Sequence, residues 1–524
     1  MSDPHTHSGA RLLGQSALAA GTLCLALAMA GYGSPAQLAG LSLPELARAV
    51  RIWRWISLLS SWVLLPTGVF LLSVGSAVSD GERRGIVRNA LMFLAAVAGL
   101  ALLNHVLIAS GHYYGTAHFF PISVFRGPEM YVSGIAFGVL MPAALWAALT
   151  RSSRLGTLHV WLISLGLIVL GNLAQGSVHQ AFHIPLAGSG LHYYHEAVGI
   201  DDWSAWLRGF TRLQESMGTH AKTHPPFAVL LHYLLMRISG GGVLPLAALL
   251  TVLSSLAVPI VRAIMRELGS SSGRAAEFAL LFAVIPAFNI YAAVSLDAVI
   301  VTLVACMLLG LVRILKRGLD VTGIILVAIG MILANALTFA GTILIVVTGV
   351  VAVAEASEKR YGVPLAFGVA CVAGVVALVV VRAALGYDHI GALLTAMRLE
   401  AAKGGSLLHL QGAYVWTRAE DIFEMALFLS AGVLAVLFRP RVLGLRLLDV
   451  RDRIGRLPLA MLFVLAIFLV IGTHRTGETA RACLWCYPFL LLLLRHVDRA
   501  VLRALAYSAA VQTAVMQVTG AFFW

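Results

Sequence analysis

Ionisable side chains crowd into one stretch of this apolar chain, residues 176–224. The stretch contains six of the 17 histidines, four carboxylates and three basic residues. These residues are His179, His183, His192, His195, His220, His224, Glu196, Asp201, Asp202, Glu215, Arg208, Arg212 and Lys222. Imidazoles and carboxylates transfer protons and bind metals, and cationic side chains bind phosphate. The residue types alone therefore permit either a metal site or an acid–base site that handles a phosphate.

The spacing of the histidines bears on the metal alternative. His179 and His183 are four residues apart, and His192, His195 and Glu196 form a compact set. No HExxH motif or similar metal signature accompanies them. We therefore expect no cofactor and favour an electropositive, hydrogen-bonding surface for a phosphate near the lipid headgroups. A bound divalent metal remains the alternative.

Two adjacent carboxylates, Asp201 and Asp202, precede an amphipathic run over 203–217 in which apolar residues recur near helical spacing. An Asp at the start of a helix is first of all an N-cap. A cap accounts for one of the two carboxylates. It does not explain why a second carboxylate stands next to the first, or why Glu196 lies among so many histidines. The pair and Glu196 are therefore also candidates for a general base.

Other polar residues stand at the ends of apolar runs. Glu478 and Arg481 lie in the polar segment 472–481, and a charge at the mouth of a membrane span is costly unless it is paired or functional. The two residues are three apart and can pair on one helical turn; alternatively, Arg481 holds a substrate phosphate. Asp297 is either a helix cap or part of a site. Residues 386–420 form a further polar segment, expected to be a solvated loop with an amphipathic helix.

The composition indicates which elements must position these groups. The chain has 60% hydrophobic and 12% charged residues, and a mean hydropathy of +0.89. These values exclude an ordinary soluble enzyme, a disordered protein and a fibrous protein. We predict an all-α, polytopic integral membrane protein with about fifteen transmembrane helices, because a span needs roughly 20 apolar residues. The apolar runs are 11–31, 56–78, 89–110, 131–150, 157–175, 242–262, 276–293, 298–315, 320–336, 338–355, 363–384, 421–438, 457–473, 482–494 and 501–522.

The basic residues predict the orientation in the membrane. The net charge of +13 is better explained by cytoplasmic loops rich in Arg and Lys than by binding of nucleic acid. With the N-terminus in the cytoplasm, most basic residues fall in such loops, although Arg48, Arg51 and Arg54 fall outside. The short apolar stretch 224–239 is then a helix in the outer interface that begins at Pro225-Pro226. This solution places the 176–241 and 386–420 loops on the extracytoplasmic side.

The cysteines carry little functional information. All five lie in apolar runs, which argues against a disulfide framework. Cys483 and Cys486 have the spacing of a redox motif, but two small apolar residues one helical turn apart explain the same pattern better.

All the polar clusters fall on the outer side, and the middles of the predicted spans are nearly free of acids. A channel or transporter is expected to place ionisable groups at mid-bilayer. The pattern therefore favours chemistry at the outer interface. A transporter or flippase of a lipid-linked or amphipathic substrate is the alternative, and a non-catalytic assembly protein is a third reading that the clustered acids and bases disfavour.

The order of these features resembles the GT-C membrane glycosyltransferases, in the branch of protein mannosyltransferases and aminoarabinose transferases. The order is a span, an outer loop with acids before an amphipathic helix, and Thr223-His224-Pro225-Pro226 opening a second interfacial helix. Segment 475–488 is similar to a GE-x-x-R outer motif of bacterial members. The resemblance covers residues 157–495, so 1–156 is expected to be a four-span N-terminal addition and 496–524 a C-terminal span.

The resemblance implies an inverting transfer of a sugar from a polyprenyl-phosphate donor to an acceptor lipid, glycan or protein in the cell membrane. One carboxylate of the first outer loop acts as general base, which points to Asp201, Asp202 or Glu196. Basic residues meet the charge of the phosphate leaving group. The residues expected to contact substrate or phosphate are Lys222, His224, His195, Asp297, Glu478 and Arg481.

Overall fold

The computed structural model describes residues 6–30, 44–111, 131–188, 192–401, 413–444, 452–471, 478–520 and 522. These residues form helices joined by turns, without a strand among them. The all-α class predicted from the sequence is confirmed for the described part of the chain.

The helices follow one another with short connections. The first eight are α1 Thr6–Ala30, α2 Pro44–Ser73, α3 Asp80–Ala109, α4 Val132–Thr150, α5 Thr157–Leu173, α6 Tyr193–Val198, α7 Trp203–Leu213 and α8 Pro226–Ser239. The next eight are α9 Val243–Ser255, α10 Ala257–Glu267, α11 Ser272–Val284, α12 Pro286–Ala292, α13 Leu296–Arg317, α14 Val321–Leu337, α15 Thr342–Ser357 and α16 Gly362–Leu385. The last eight are α17 His389–Ala401, α18 Ala413–Leu429, α19 Ala431–Leu437, α20 Pro440–Leu443, α21 Arg456–Ile471, α22 Thr479–Ala482, α23 Tyr487–Leu491 and α24 Arg499–Thr519. A π-helix, His179–Gly188, lies between α5 and α6.

Several of these helices are suited to a membrane. In the described part of the chain, eight helical segments are long and apolar enough to cross one; one of them, Val243–Glu267, joins α9 and α10, and another, Phe339–Ser357, contains α15. The bent pair α11 and α12, with an angle of 68°, is a ninth candidate. Shorter apolar helices such as α5, α8 and α21 accompany them. These features support a polytopic membrane protein, whereas the larger number of about fifteen spans stays a prediction.

The last helix, α24, lies inside the bundle although its sequence is rather polar. Its polar side chains bond to the backbone of other helices: the Ser508 hydroxyl donates to the Pro66 carbonyl at 2.7 Å. The Gln512 side chain accepts from Ala431 N at 2.8 Å and donates to the Leu427 carbonyl at 2.9 Å. These two bonds bridge the break between α18 and α19, where Ser430 has a φ of 95°. The buried Gln512 side chain is tolerated here because it provides hydrogen-bond partners for backbone groups that lose their helical partners at the break.

One end of the bundle is held by ion pairs. Buried Glu277 of α11 binds Arg499 and Arg503 of α24, and Glu267 of α10 binds Arg317 at the C-terminal end of α13. Three basic residues predicted to be cytoplasmic, Arg317, Arg499 and Arg503, therefore lie at one end. The first turn of α13 lies about 33 Å away at the other end, since a helix rises about 1.5 Å per residue. Which end faces the cytoplasm stays a prediction.

Short amphipathic helices cover that other end. Helix α7 buries Leu207 and Phe210, as its helical spacing predicts, whereas Trp203, at the start of the same apolar series, is exposed. Helix α8 begins at Pro226, as predicted, and ends before Gly240, whose φ of 80° favours glycine. With 14 residues, α8 is about 21 Å long, which is too short to cross a hydrocarbon core of about 30 Å.

Candidate functional site

An arginine lies between two carboxylates where α13 begins. Arg481 Nη2 donates to Glu478 Oε2 at 2.7 Å, and Arg481 Nε lies 3.6 Å from Asp297 Oδ2. The exposed fraction is 13% for the Arg481 side chain, 26% for Asp297 and 23% for Glu478. The structure thus brings together three predicted substrate-contacting residues from distant parts of the sequence. A half-buried guanidinium in this position suits the binding of an anionic group.

The backbone before α13 positions Asp297. Ser295 is the N-cap: its hydroxyl accepts from Asp297 N at 3.1 Å and donates to Asp297 Oδ2 at 3.3 Å. Val294 is buried and has a φ of 95°, a conformation that is unfavourable for a β-branched residue. Such strain is tolerated where the surrounding structure enforces it, often at functional sites. This tight turn between α12 and α13 directs the first turn of α13 toward Arg481.

Two buried acids of α18 hold the short helix that carries Arg481. Ala480 N donates to Glu424 Oε1 at 3.0 Å, and the Thr479 hydroxyl donates to Asp421 Oδ1. Both acids are fully buried. A four-residue helix has little stability of its own, so these bonds decide where Arg481 points.

The same acids stand at the start of the predicted apolar run 421–438. Helix α18 begins at Ala413, within the predicted outer loop, so both acids lie on a helix that starts before that run. In the described residues, α18 is not among the helices that are long and apolar enough to cross a membrane, and the expectation that the middles of the spans are nearly free of acids stays a prediction. In the sequence, Asp421 and Glu424 are marked only by their spacing of three residues, which places them on one face of a helix that continues into an apolar run.

A shell of aromatic and imidazole rings surrounds Tyr193, which sequence reasoning did not select. The Tyr193 ring centroid lies 5.3 Å from that of His192, 5.9 Å from His220, 5.4 Å from His224 and 5.2 Å from His232. Burial is the main cause that raises the pKa of Tyr193 well above its ordinary value, and the negative charge of Asp297 raises it further. The phenol therefore stays protonated and remains a hydrogen-bond donor beside the charged residues.

Burial favours the neutral form of two imidazoles of this shell, His192 and His224. Burial lowers the pKa of His192 well below its ordinary value, and His232, His220 and Arg481 lower it further. Burial also lowers the pKa of His224, against the opposing effect of a nearby carboxylate. His224 Nδ1 lies 3.0 Å from the His220 carbonyl; since a carbonyl only accepts, Nδ1 carries the proton and Nε2 is an acceptor. The shell therefore offers both donors and acceptors without adding charge.

The predicted base candidates of the first outer loop have surroundings of their own. Asp202 caps α7: its Oδ1 accepts from Ser204 N at 2.9 Å and from Ala205 N at 3.2 Å. Asp201 is exposed. Glu196 Oε1 accepts from Gly218 N at 2.7 Å, which ties α6 to the turn before His220. The cap explains Asp202, whereas a catalytic role for any of the three stays a prediction.

The remaining predicted residues differ in their surroundings. His224 interacts electrostatically with Asp297 and Arg481. His195 is exposed, with its ring 5.3 Å from the Tyr194 ring. Lys222 is half-buried, and its carbonyl accepts from the Gln214 side chain at 2.9 Å. Of these three predicted residues, His224 thus has the clearest link to the Arg481 cluster.

The described residues contain no group of three or more His, Cys, Asp or Glu side chains arranged to hold a metal ion. His179 and His183 lie on the π-helix with their rings stacked 4.7 Å apart. Residues 472–477 of the predicted polar segment lie outside the described residues.

A comparison with protein-family models, curated proteins and solved structures finds no match for this chain. The functional assignment therefore depends on the residues and their geometry.

Proposed function

We propose that this chain is a membrane glycosyltransferase of the GT-C type. It transfers a sugar from a polyprenyl-phosphate donor to the hydroxyl of an acceptor lipid, glycan or protein, with inversion. The observation that supports the proposal is the half-buried Arg481 between Asp297 and Glu478. This cluster lies at the end of the bundle opposite the ion-paired basic loops, which is the outer side if those loops are cytoplasmic.

Arg481 provides the contact for the phosphate of the donor. A guanidinium has five N–H donors in a planar fork, a geometry that matches the oxygens of a phosphate. The neutral His224 and the protonated Tyr193 add hydrogen bonds without an unbalanced charge. A leaving phosphate departs more easily when fixed donors meet its developing charge.

Asp297 is the carboxylate best supported as the general base. A base must lie within hydrogen-bond reach of the acceptor hydroxyl, and Asp297 is partly exposed beside the proposed phosphate contact. The Asp202 oxygen already accepts two backbone bonds, and Asp201 lies on the surface. Glu196, Asp201 and Asp202 remain the alternatives that the family resemblance implies.

The proposed test compares carboxylate variants of the purified protein, supplied with polyprenyl-phosphate sugars and scored for transfer or for release of the lipid phosphate. Asp297→Asn should lower the rate by about 10²–10⁴-fold, the usual worth of a general base, and retain donor binding. Asp388→Asn is a matched control, because Asp388 is likewise a partly exposed carboxylate at the start of a helix and contacts an arginine away from the cluster. Unchanged turnover in Asp297→Asn and in variants of Glu196, Asp201 and Asp202 would contradict the proposal.

A transporter or flippase is the second candidate function, and one observation favours it. Asp421 and Glu424 are fully buried within α18, and acids inside membrane helices often mark a substrate or proton path. Movement of a labelled lipid-phosphate across proteoliposomes, without release of its sugar, would favour this candidate over the glycosyltransferase.

A further inference from the structure

A second group of ionisable side chains lies behind the Arg481 cluster, on α18. Arg418 is 9% exposed, while Glu420, Asp421 and Glu424 are fully buried. These three acids and one arginine lie within two turns of α18. Burial of an ionised carboxylate is costly unless partners meet its charge, so the partners of each acid bear on its charge state.

Glu424 is the acid whose charge is least well met. Its Oε1 accepts from Ala480 N at 3.0 Å, and the N–H of Thr479 also faces this carboxylate. Its Oε2 is buried and has no hydrogen-bond partner among the described residues. Asp421 differs, because its Oδ1 accepts from the Thr479 hydroxyl and its Oδ2 lies 3.4 Å from Arg418 Nη2. An ionised Glu424 would thus keep one carboxylate oxygen unsolvated and unpaired.

Glu277 shows how this chain provides partners for a buried carboxylate. It is also fully buried, but it accepts from the Ser152 hydroxyl at 2.6 Å, from Arg499 at 2.9 Å and from Arg503 at 2.6 Å. Two guanidinium groups and a hydroxyl therefore meet its charge. The two glutamates share residue type and burial and differ in their partners, so Glu277 is a matched reference for Glu424.

The titratable groups that face Glu424 come from several elements. Asp421 lies on the same helix, Glu478 precedes α22, and Tyr291 lies on α12. Cys483 and Tyr487, from the segment after α22, also interact with it electrostatically. These neighbours are acids or neutral groups, so they favour an uncharged Glu424. Glu478 connects this interior group to the half-exposed outer cluster.

We propose that Glu424 is a proton-binding site, with the proton on Oε2 in the resting protein and with exchange to water by way of the outer cluster. The proton comes from water and binds the orphaned oxygen, while Oε1 continues to accept from Ala480 N–H; no other bond forms or breaks. The inference rests on the burial of Glu424 and on its hydrogen-bond partners. It holds for either candidate function.

The test is labelling of the full chain in detergent micelles with dicyclohexylcarbodiimide, an apolar reagent that reacts with protonated carboxyl groups. Peptide mass spectrometry should find the adduct on Glu424 and not on Glu277, and the labelled fraction should fall as the pH rises. Glu424→Gln should abolish the adduct and stay folded, because the amide oxygen still accepts from Ala480 N–H. Glu277→Gln should lower the melting temperature, because it leaves two arginines without their charge partner.

Infrared spectroscopy provides a second readout that does not depend on access of the reagent. The wild-type protein should show a protonated-carboxyl C=O band that Glu424→Gln lacks. Identical spectra in this region would overturn the proposal, as would equal labelling of Glu277 and Glu424. Suppression of the adduct by sodium ions at constant pH would also overturn it, since the site would then bind a metal cation.

Discussion

Replacement of Arg481 by lysine separates a binding role of this residue from a structural one. Lysine keeps the positive charge between Glu478 and Asp297 but loses the planar fork that grips a carboxylate or a phosphate through two parallel bonds. The side chain is only 13% exposed, so solvent screens its interactions weakly. The substitution should therefore affect folding slightly and donor binding strongly.

The structure sets the size of both effects. An ammonium group can keep the contact with Glu478, at 2.7 Å in the wild-type protein, and loses the longer one with Asp297. The Asp297 contact, at 3.6 Å, is an ion pair too long for a hydrogen bond, so its loss lowers the free energy of unfolding by only about 0.2–1 kcal/mol. Loss of a second charge-assisted hydrogen bond to a phosphate costs about 1.5–3 kcal/mol in binding, which raises the Kd of the donor about tenfold to a hundredfold.

Thermal unfolding in detergent and equilibrium binding of a polyprenyl phosphate measure the two effects on the same sample. Arg382→Lys is a matched control, because Arg382 pairs with Asp388 at 3.9 Å and is 70% exposed. It should change neither quantity. If Arg481→Lys and Glu478→Gln lower stability to a similar degree and donor affinity stays at the wild-type value, Arg481 is a structural residue and the phosphate assignment is refuted.

Other properties of the molecule lead to further expected outcomes. The pKa values of His192 and His224 are lowered in the folded protein, so below about pH 6.5 these residues bind fewer protons there than in the unfolded chain. The free energy of unfolding should therefore fall as the pH decreases from that value. In His192→Gln, the free energy of unfolding measured by urea titration should depend less steeply on pH. Chelation of divalent cations should leave turnover unchanged, and a loss that zinc, magnesium or manganese restores would favour the metal alternative. Cysteines introduced at Gly188 and at Arg441, which is 91% exposed, should react with an impermeant thiol reagent in intact cells only at the first position; the opposite pattern would invert the topology. Gln512→Leu should lower the melting temperature, because it removes both bonds across the break between α18 and α19, and an unchanged value would show that the break needs no bridge.

Features that depend on nearby residues could be predicted from the sequence. The helical spacing over 203–217 predicted α7, and Asp202 is the N-cap that its residue type suggested. Pro226 begins α8, and Glu478 pairs with Arg481 at the expected spacing of three residues. Helical periodicity, capping and pairs on one turn are short-range effects. They can therefore be inferred from one sequence.

Contacts between distant segments were decided only by the tertiary structure. No local pattern joins Asp297 to Arg481, and none identifies Tyr193 as the centre of a group of imidazoles. The sequence placed Asp421 and Glu424 at the start of an apolar run and gave no sign of their partners, whereas packing of α22 against α18 buries both acids and gives each a backbone or hydroxyl donor. The cost of burying a polar group depends on which partners the folded chain brings to it, and those partners come from helices far apart in sequence.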